Sequence, residues 1–351
     1  MLFIDAHNIR QGGGKILLDY LEQELIQRKI PHEIYRSEHY DRSNKMRGRI
    51  SLDLTAFWKR TRAVQEAIKR LQPETVLCFG NFPPDVKLSN TVVYTYFHSP
   101  MLVEKFSLKG FSLKSALILE LKRRYLDRTI HNTDYVLLQT ETIRKRFLKK
   151  FPILPEHCLL MPFYDEQKIV RAREEAARTT QKIPGTFAYP SGPQGHKNHA
   201  NLLAAWEMLL ERNITPKLYL TVPKRPDSLK ILARIEELNT RGTDIVNLKG
   251  LPHQELLNLM YSCEYIIFPS FDETFGLGLI EGHLLDCKVL VSERPYYHPI
   301  IEPSATFDPM IPQDIAHTVE EALNTDLPAT KAIVKNQIGE LLALLSDKQQ
   351  V

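Results

Sequence analysis

Residues 268–282 read FPSFDETFGLGLIEG. An apolar run, EYIIFPS, leads into them with the β-branched and aromatic content of a buried strand, and a helical pattern leaves over about 277–285. Strand, loop, helix is the implied order. Between strand and helix lie Glu273, Gly276 and Gly278, with Glu281 inside the helix, so two carboxylates eight positions apart flank backbone with little side-chain bulk. That combination suits a polyhydroxylated, phosphorylated ligand. Glycines let a ligand approach the main chain, a helix N-terminus offers N–H groups and partial positive charge to a phosphate, and carboxylates accept hydrogen bonds from hydroxyls.

Working outward, the second half alternates TFAYP, the helix HANLLAAWEMLLER, the strand KLYLTV, a helix over 228–238, the strand DIVNLKG and the helix HQELLNLMYS, with CKVLVSE and TFDP after the opening stretch. The first half has the same rhythm: MLFIDA, a helix KILLDYLEQELIQRK, a strand at EIYRS, a helix over 57–71, then TVLCFG, TVVYTYF, DYVLLQT and HCLLMP as strands. Residues 39–51 are polar and basic without a period and read as a loop. Two runs of alternating strands and helices predict an α/β protein of two Rossmann-like parallel-sheet domains facing a central cleft. The boundaries read as 1–165, a connection over 166–184, 185–325, and a C-terminal segment 326–351 that returns to the first domain. QDIAHTVEEALNT and KAIVKNQIGELLALLSD both have amphipathic helical patterns.

With 351 residues, 43% hydrophobic and 25% charged, the composition is that of a globular protein too long for one ordinary core. The cysteines Cys78, Cys158, Cys263 and Cys287 are scattered, with neither a CxxC pair nor a Cys/His cluster to suggest zinc. They fit the cytoplasm better than a disulfide scaffold. MLFIDAHN starts a strand at once and has Asp5 where a signal peptide would want a basic residue, which also points to the cytoplasm. The net charge of +4 is unevenly spread: residues 101–150 hold twelve Lys and Arg against five Asp and Glu. In LKSALILELKRRYLDRTI the basic and apolar residues interleave at helical spacing, as on a core-facing helix with a solvated basic side or on a surface that rests peripherally on anionic lipid.

Three further features fall at strand ends, where ligands bind in open α/β sheets. Gly12, Gly13 and Gly14 follow the first strand and open a helix, an arrangement for a phosphate or simply for a tight turn. His98 ends TVVYTYF. SGPQGHKNH joins TFAYP to its helix and places Lys197 at the helix start, on the side of Glu273, where an ammonium and a helix N-terminus can hold a diphosphate.

HKNHANLLAAW, NLKGLPHQELLNLMYSCEYIIFPSFDETFGLGLIEG and VLVSERPYYHPIIEPSATFDP together resemble the retaining GT-B glycosyltransferases of family 4, the "glycosyl transferases group 1" class. The match covers 189–309, and the first half resembles the family through its Gly-rich loop and His98. The resemblance implies that Glu281 binds the ribose hydroxyls of a nucleotide and Glu273 the donor sugar. The amides of Phe275, Gly276 and Leu277 would meet the sugar and distal phosphate, and Lys197 the diphosphate. Gly13 and Gly14 would close over the phosphates, and His98 would stand near the transferred sugar. One departure is clear. Family members usually have an Arg before this lysine where Ser191, Gly192 and Pro193 stand here, with Arg10 and Arg225 as candidate substitutes.

No Asp-x-Asp pair occurs, so charge on a departing diphosphate is expected to be met without a metal, by Lys197, helix N-termini and amides. A glycosidase would need carboxyls about 5–5.5 Å apart with one protonated, which one loop glutamate and one helix glutamate do not obviously supply. The expectation is therefore a metal-independent retaining transferase, moving a hexose-type unit from a nucleoside diphosphate sugar to a glycan or lipid-linked acceptor. It needs no further cofactor and binds no nucleic acid. A noncatalytic nucleotide-sugar binder and a GT-B sugar-nucleotide epimerase are the alternatives.

Overall fold

The computed structural model describes residues 1–9, 12–36, 54–103 and 113–346. The polar loop expected at 39–51, Arg10 and residues 104–112 of the basic segment lie outside them. Two compact units divide the chain: Met1–Tyr164 with Lys335–Val351, and Asp165–Val334.

The first unit is built on β1 (Leu2–Ala6), α1 (Gly13–Gln27), β2 (His32–Arg36), α2 (Leu54–Leu71), β3 (Thr75–Cys78), β4 (Val92–Phe97), α3 (Leu113–Thr129), β5 (Tyr135–Leu138), α4 (Glu141–Lys150) and β6 (Cys158–Leu160). Its six strands are all parallel, in the order β2-β1-β3-β4-β5-β6. Both faces of such a sheet are covered, so its strands are continuous apolar runs, and β1 is buried along its whole length. Asp5 is the polar residue in that run. Its Oδ2 accepts from Arg60 Nε of α2 at 2.8 Å, and Arg60 Nη2 also donates to the Phe82 carbonyl. Ion pair and hydrogen bonds together make the buried charge tolerable.

The second unit comprises α5 (Glu166–Ala177), β7 (Ile183–Tyr189), α6 (His199–Glu211), β8 (Lys217–Leu220), α7 (Leu229–Thr240), β9 (Ile245–Asn247), α8 (His253–Ser262), β10 (Cys263–Phe268), α9 (Leu277–Leu284), β11 (Lys288–Ser292), β12 (Ile301–Glu302), β13 (Ala305–Phe307), α10 (Pro312–Asn324) and β14 (Lys331–Ala332). Six parallel strands run β13-β11-β10-β7-β8-β9, while β12 and β14 form a small antiparallel pair. The α/β class with two parallel sheets is thus as the sequence implies. Lys182 sits just before β7. Its ammonium donates to the carbonyls of Tyr261, Cys263 and Leu285 at 3.0, 3.2 and 3.1 Å, gathering the C-terminal ends of α8 and α9.

Beyond Val334 the chain belongs to the first unit. Asn336 bonds both backbone groups of Tyr164 and accepts from Ile338 N–H, starting α11 (Ile338–Ser346). Ile338, Leu341, Leu342 and Leu345 join the core with Leu2, Ile4, Tyr96 and Phe163. The helix expected over the whole of KAIVKNQIGELLALLSD is therefore halved. Lys331 and Ala332 are extended because they pair with Glu302 and Ile301, and the helix starts only after the turn in which Asn336 Oδ1 accepts from Ile338 N–H.

Candidate functional site

In the second sheet chain order reverses between β7 and β10. This is the switch point, where loops leaving neighbouring strands diverge and open a crevice at the strands' carboxyl ends. The loop after β7 carries Lys197 and the loop after β10 carries Glu273. Lys197 Nζ lies 2.7 Å from Glu273 Oε1, with the side chains 19% and 10% exposed. Ser270 Oγ donates to the same oxygen at 2.7 Å, and the Tyr189 hydroxyl lies 2.9 Å from both Ser270 Oγ and the Lys197 carbonyl. The backbone is tied as well: Phe271 N–H donates to the His196 carbonyl at 2.8 Å.

Two helices begin here without a side-chain cap. Asn198 precedes α6 in a left-handed conformation, with its Nδ2 spent on the Pro269 and Pro309 carbonyls at 3.0 and 2.8 Å. Gly276 precedes α9 at φ 59°, a conformation that favours glycine. No side chain caps the first turn of either helix, and in α9 Leu279 N–H turns back to the Gly276 carbonyl at 2.8 Å. The sequence reading treated Gly276 and Gly278 alike, as openings for a ligand. They differ. A Cβ on Gly278 would sit 2.6 Å from Phe268 Cζ, so that glycine lets α9 pack on β10.

Burial works to raise the Glu273 carboxyl, but Lys197, His196 and the hydrogen bonds from Lys197 and Ser270 outweigh it and hold the group below the usual carboxylate range. It is an ionised acceptor, suited to hydroxyls and unsuited to the protonated-acid role a glycosidase requires. Burial also lowers His196, whose Nδ1 has no hydrogen-bond partner. Glu281 lies one helical turn into α9, nearly buried, with Oε1 2.7 Å from His253 Nε2 at the start of α8. Phe275 is buried beside Gly276, and Leu277 is the first residue of α9. Arg225 lies in the loop after β8, its N–H bonded to Ser228 Oγ at 2.9 Å.

In the first sheet the reversal falls at β1 and β3. Gly12, Gly13 and Gly14 follow β1, with Gly12 at φ 68° as the uncapped N-cap of α1. A Cβ on Gly14 would lie 3.9 Å from His98 Cε1, so the glycine loop and His98 are neighbours. His98 Nε2 lies 2.6 Å from the Phe79 carbonyl, its N–H donates to Asn81 Oδ1, and its ring meets Phe79 and Tyr96 edge-on. A carbonyl only accepts, so Nε2 carries the proton. Burial pushes the imidazole down to about 4 against the pull of that carbonyl, so it is neutral at pH 7.

His253, His196, Ser270, Asn198 and Tyr189 were not singled out from the sequence. Ser270 stands inside FPS and the others inside quoted stretches, but only the fold brings them to the site. Among the described residues no cluster of His, Cys, Asp and Glu could hold a metal ion.

This architecture recurs among solved structures. A sucrose-phosphate synthase from Thermosynechococcus elongatus matches with a TM-score of 0.68 at 15% identity, over 92% of this chain and 89% of that one. WaaG, a glycosyltransferase involved in lipopolysaccharide biosynthesis, matches with 0.63 at 14% over 93% and 91%. The UDP-GlcNAc 2-epimerase of Methanocaldococcus jannaschii, solved with UDP-GlcNAc and UDP, matches with 0.57 at 13% over 98% of both chains. At such identities the likeness is one of fold: the chain has the two-unit GT-B architecture. No protein-family model and no curated protein matches it.

Proposed function

We propose that the protein is a retaining, metal-independent glycosyltransferase of the family 4 type. It moves a hexose-type unit from a nucleoside diphosphate sugar to a glycan or lipid-linked acceptor, in surface polysaccharide synthesis of the bacterial kind. The Lys197–Glu273–Ser270 cluster carries the reading, set at a sheet switch point between two uncapped helix N-termini. In it Lys197 and the first-turn amides of α6 and α9 take the charge of the leaving diphosphate. Glu273 accepts from hydroxyls of the donor sugar, Glu281 from the ribose. The departing phosphate helps deprotonate the acceptor hydroxyl, and the protein chiefly positions the two reactants. By the family resemblance, neutral His98 is assigned to the transferred sugar and the loop of Gly13 and Gly14 to the phosphates.

A GT-B epimerase is the second reading, favoured by the match to the Methanocaldococcus enzyme over 98% of both chains. Incubation with a panel of nucleoside diphosphate sugars separates the two. Slow release of nucleoside diphosphate, quickened by an acceptor glycan, supports the transferase. Conversion to an epimeric sugar nucleotide supports the epimerase, and thermal stabilisation without turnover leaves a binder. Glu281→Ala should weaken nucleotide binding by about 1–3 kcal/mol in titration calorimetry; unchanged affinity removes its ribose role.

Lipid contact through residues 101–150 belongs to the same proposal. Leu117 and Leu121 are 62% and 43% exposed on α3, in one stripe with the exposed Arg124 and Arg128. Other basic residues of the segment are spent internally: Arg123 donates to the Met101 carbonyl, Arg144 to Cys158 and Lys150 to Leu102. No helix among the described residues is long and apolar enough to cross a membrane. Flotation with anionic vesicles should carry the protein up in low salt, and failure to float removes the lipid contact.

A further inference from the structure

His253 opens α8, and its Nε2 lies 2.7 Å from Glu281 Oε1 across 28 residues of sequence. The two side chains are 13% and 5% exposed. A carboxylate oxygen only accepts, so the hydrogen in this bond sits on Nε2. The other ring nitrogen, Nδ1, is buried and has no hydrogen-bond partner among the described residues, which leaves Glu281 as the polar tether of the imidazole among them. Glu281 in turn has Oε1 engaged, and no described residue bonds its Oε2. Held by one oxygen, the carboxylate keeps a fixed plane and offers the other.

We infer that His253 is a positioning residue: it fixes the Glu281 carboxylate so that Oε2 meets the vicinal hydroxyls of a ribose, making the site selective for ribonucleotides over their deoxy forms. The inference rests on the ribose reading of Glu281 proposed above. A buried acceptor already aligned with a hydroxyl rejects an analogue lacking that hydroxyl more sharply than one free to turn away, because the acceptor is left unpaired.

The test uses the full chain and titration calorimetry with ADP, GDP, CDP and UDP. The tightest binder is then compared with its 2′-deoxy and 2′,3′-dideoxy forms. Wild-type protein should prefer the ribose form by about tenfold or more, one such hydrogen bond being enough for that factor. His253→Phe keeps a ring of similar size and removes the donor; it should bind the two forms within about threefold, by losing affinity for the ribose form. His253→Gln keeps an N–H donor and should restore part of the preference. Thermal unfolding verifies that both variants fold.

Wild-type protein that binds no diphosphate, or binds ribose and dideoxy forms alike, overturns the ribose reading of Glu281 and this inference with it. Wild-type protein that discriminates, beside a His253→Phe variant that discriminates equally or loses both forms in the same proportion, overturns the inference alone. If His253→Phe does not fold, His253→Gln decides: retained preference supports the donor role, and a proportional loss of both forms refutes it.

Discussion

Beyond β7 and β10 the polar side chains of the second unit hold one another, Lys197 on Glu273, Ser270 on the same carboxylate, His253 on Glu281. Beyond β1 in the first unit, by contrast, a side chain begun at Gly12 or Gly13 would meet nothing within 4 Å among the described residues. One switch point is pre-assembled from paired charges and the other is bare backbone beside a neutral imidazole. The difference bears on the two roles proposed above. Charge on a diphosphate is best met by groups already oriented in a desolvated place, where no reorganisation is needed when the bond breaks. Bare glycine backbone offers N–H groups and room for a ligand to approach the main chain.

The sharpest way to break this contrast is Lys197→Ala. It removes the cation assigned to the leaving group and strands a nearly buried Glu273, so nucleoside diphosphate release should fall about 10²–10³-fold. A rate within threefold of wild type would show that the paired cluster is merely structural.

Glycine substitutions probe the same comparison through stability. Gly278→Ala puts a methyl 2.6 Å from Phe268 Cζ and should cost about 1–3 kcal/mol in urea unfolding. Gly13→Ala meets open space in helical backbone, so stability should stay within about 0.5 kcal/mol while transfer slows. Loss of stability without loss of rate at Gly13 would reverse the roles given to the two loops.

Acid weakening is expected as well. Burial holds His98 down to about 4, and burial with Lys197 and His196 nearby holds His199 down to about 3. In the unfolded chain both take up protons below about 6.5. Since the unfolded state then binds more protons, their contribution to stability is whole above that pH and shrinks as pH falls towards 4 and then 3. Urea midpoints at pH 7.5, 5.5 and 4.5 should decline in order. His199→Gln should flatten the decline, and an unchanged slope would remove His199 from the account.

Strands of the second sheet were plain from sequence, because EYIIFPS and KLYLTV concentrate β-branched and aromatic residues into runs that a two-sided burial demands. Helix α5 was obscure for the converse reason. Its buried positions are Ile169, Ala172 and Ala176, too small a stripe to stand out among its charges. Residues 331–332 misled because the pairing that extends them lies some 30 residues upstream, at Ile301 and Glu302. At the site, Glu273, Lys197 and Glu281 were legible as charged residues placed at strand ends or in the helix that follows. His253 and Ser270 were not, since an N-terminal helix histidine and a loop serine acquire meaning only from the carboxylate that the fold sets against each.

Lys182 bears on all of this from the opposite, amino end of the strands. Helices α8 and α9, which carry His253 and Glu281 near their starts, finish on the carbonyls that this one ammonium collects. The two helices therefore share an anchor as well as a hydrogen bond, and the positive charge complements both dipoles at once. Acylating that amine, or replacing it by Lys182→Met, would cut the common mooring of two helices whose far ends meet in the His253–Glu281 hydrogen bond.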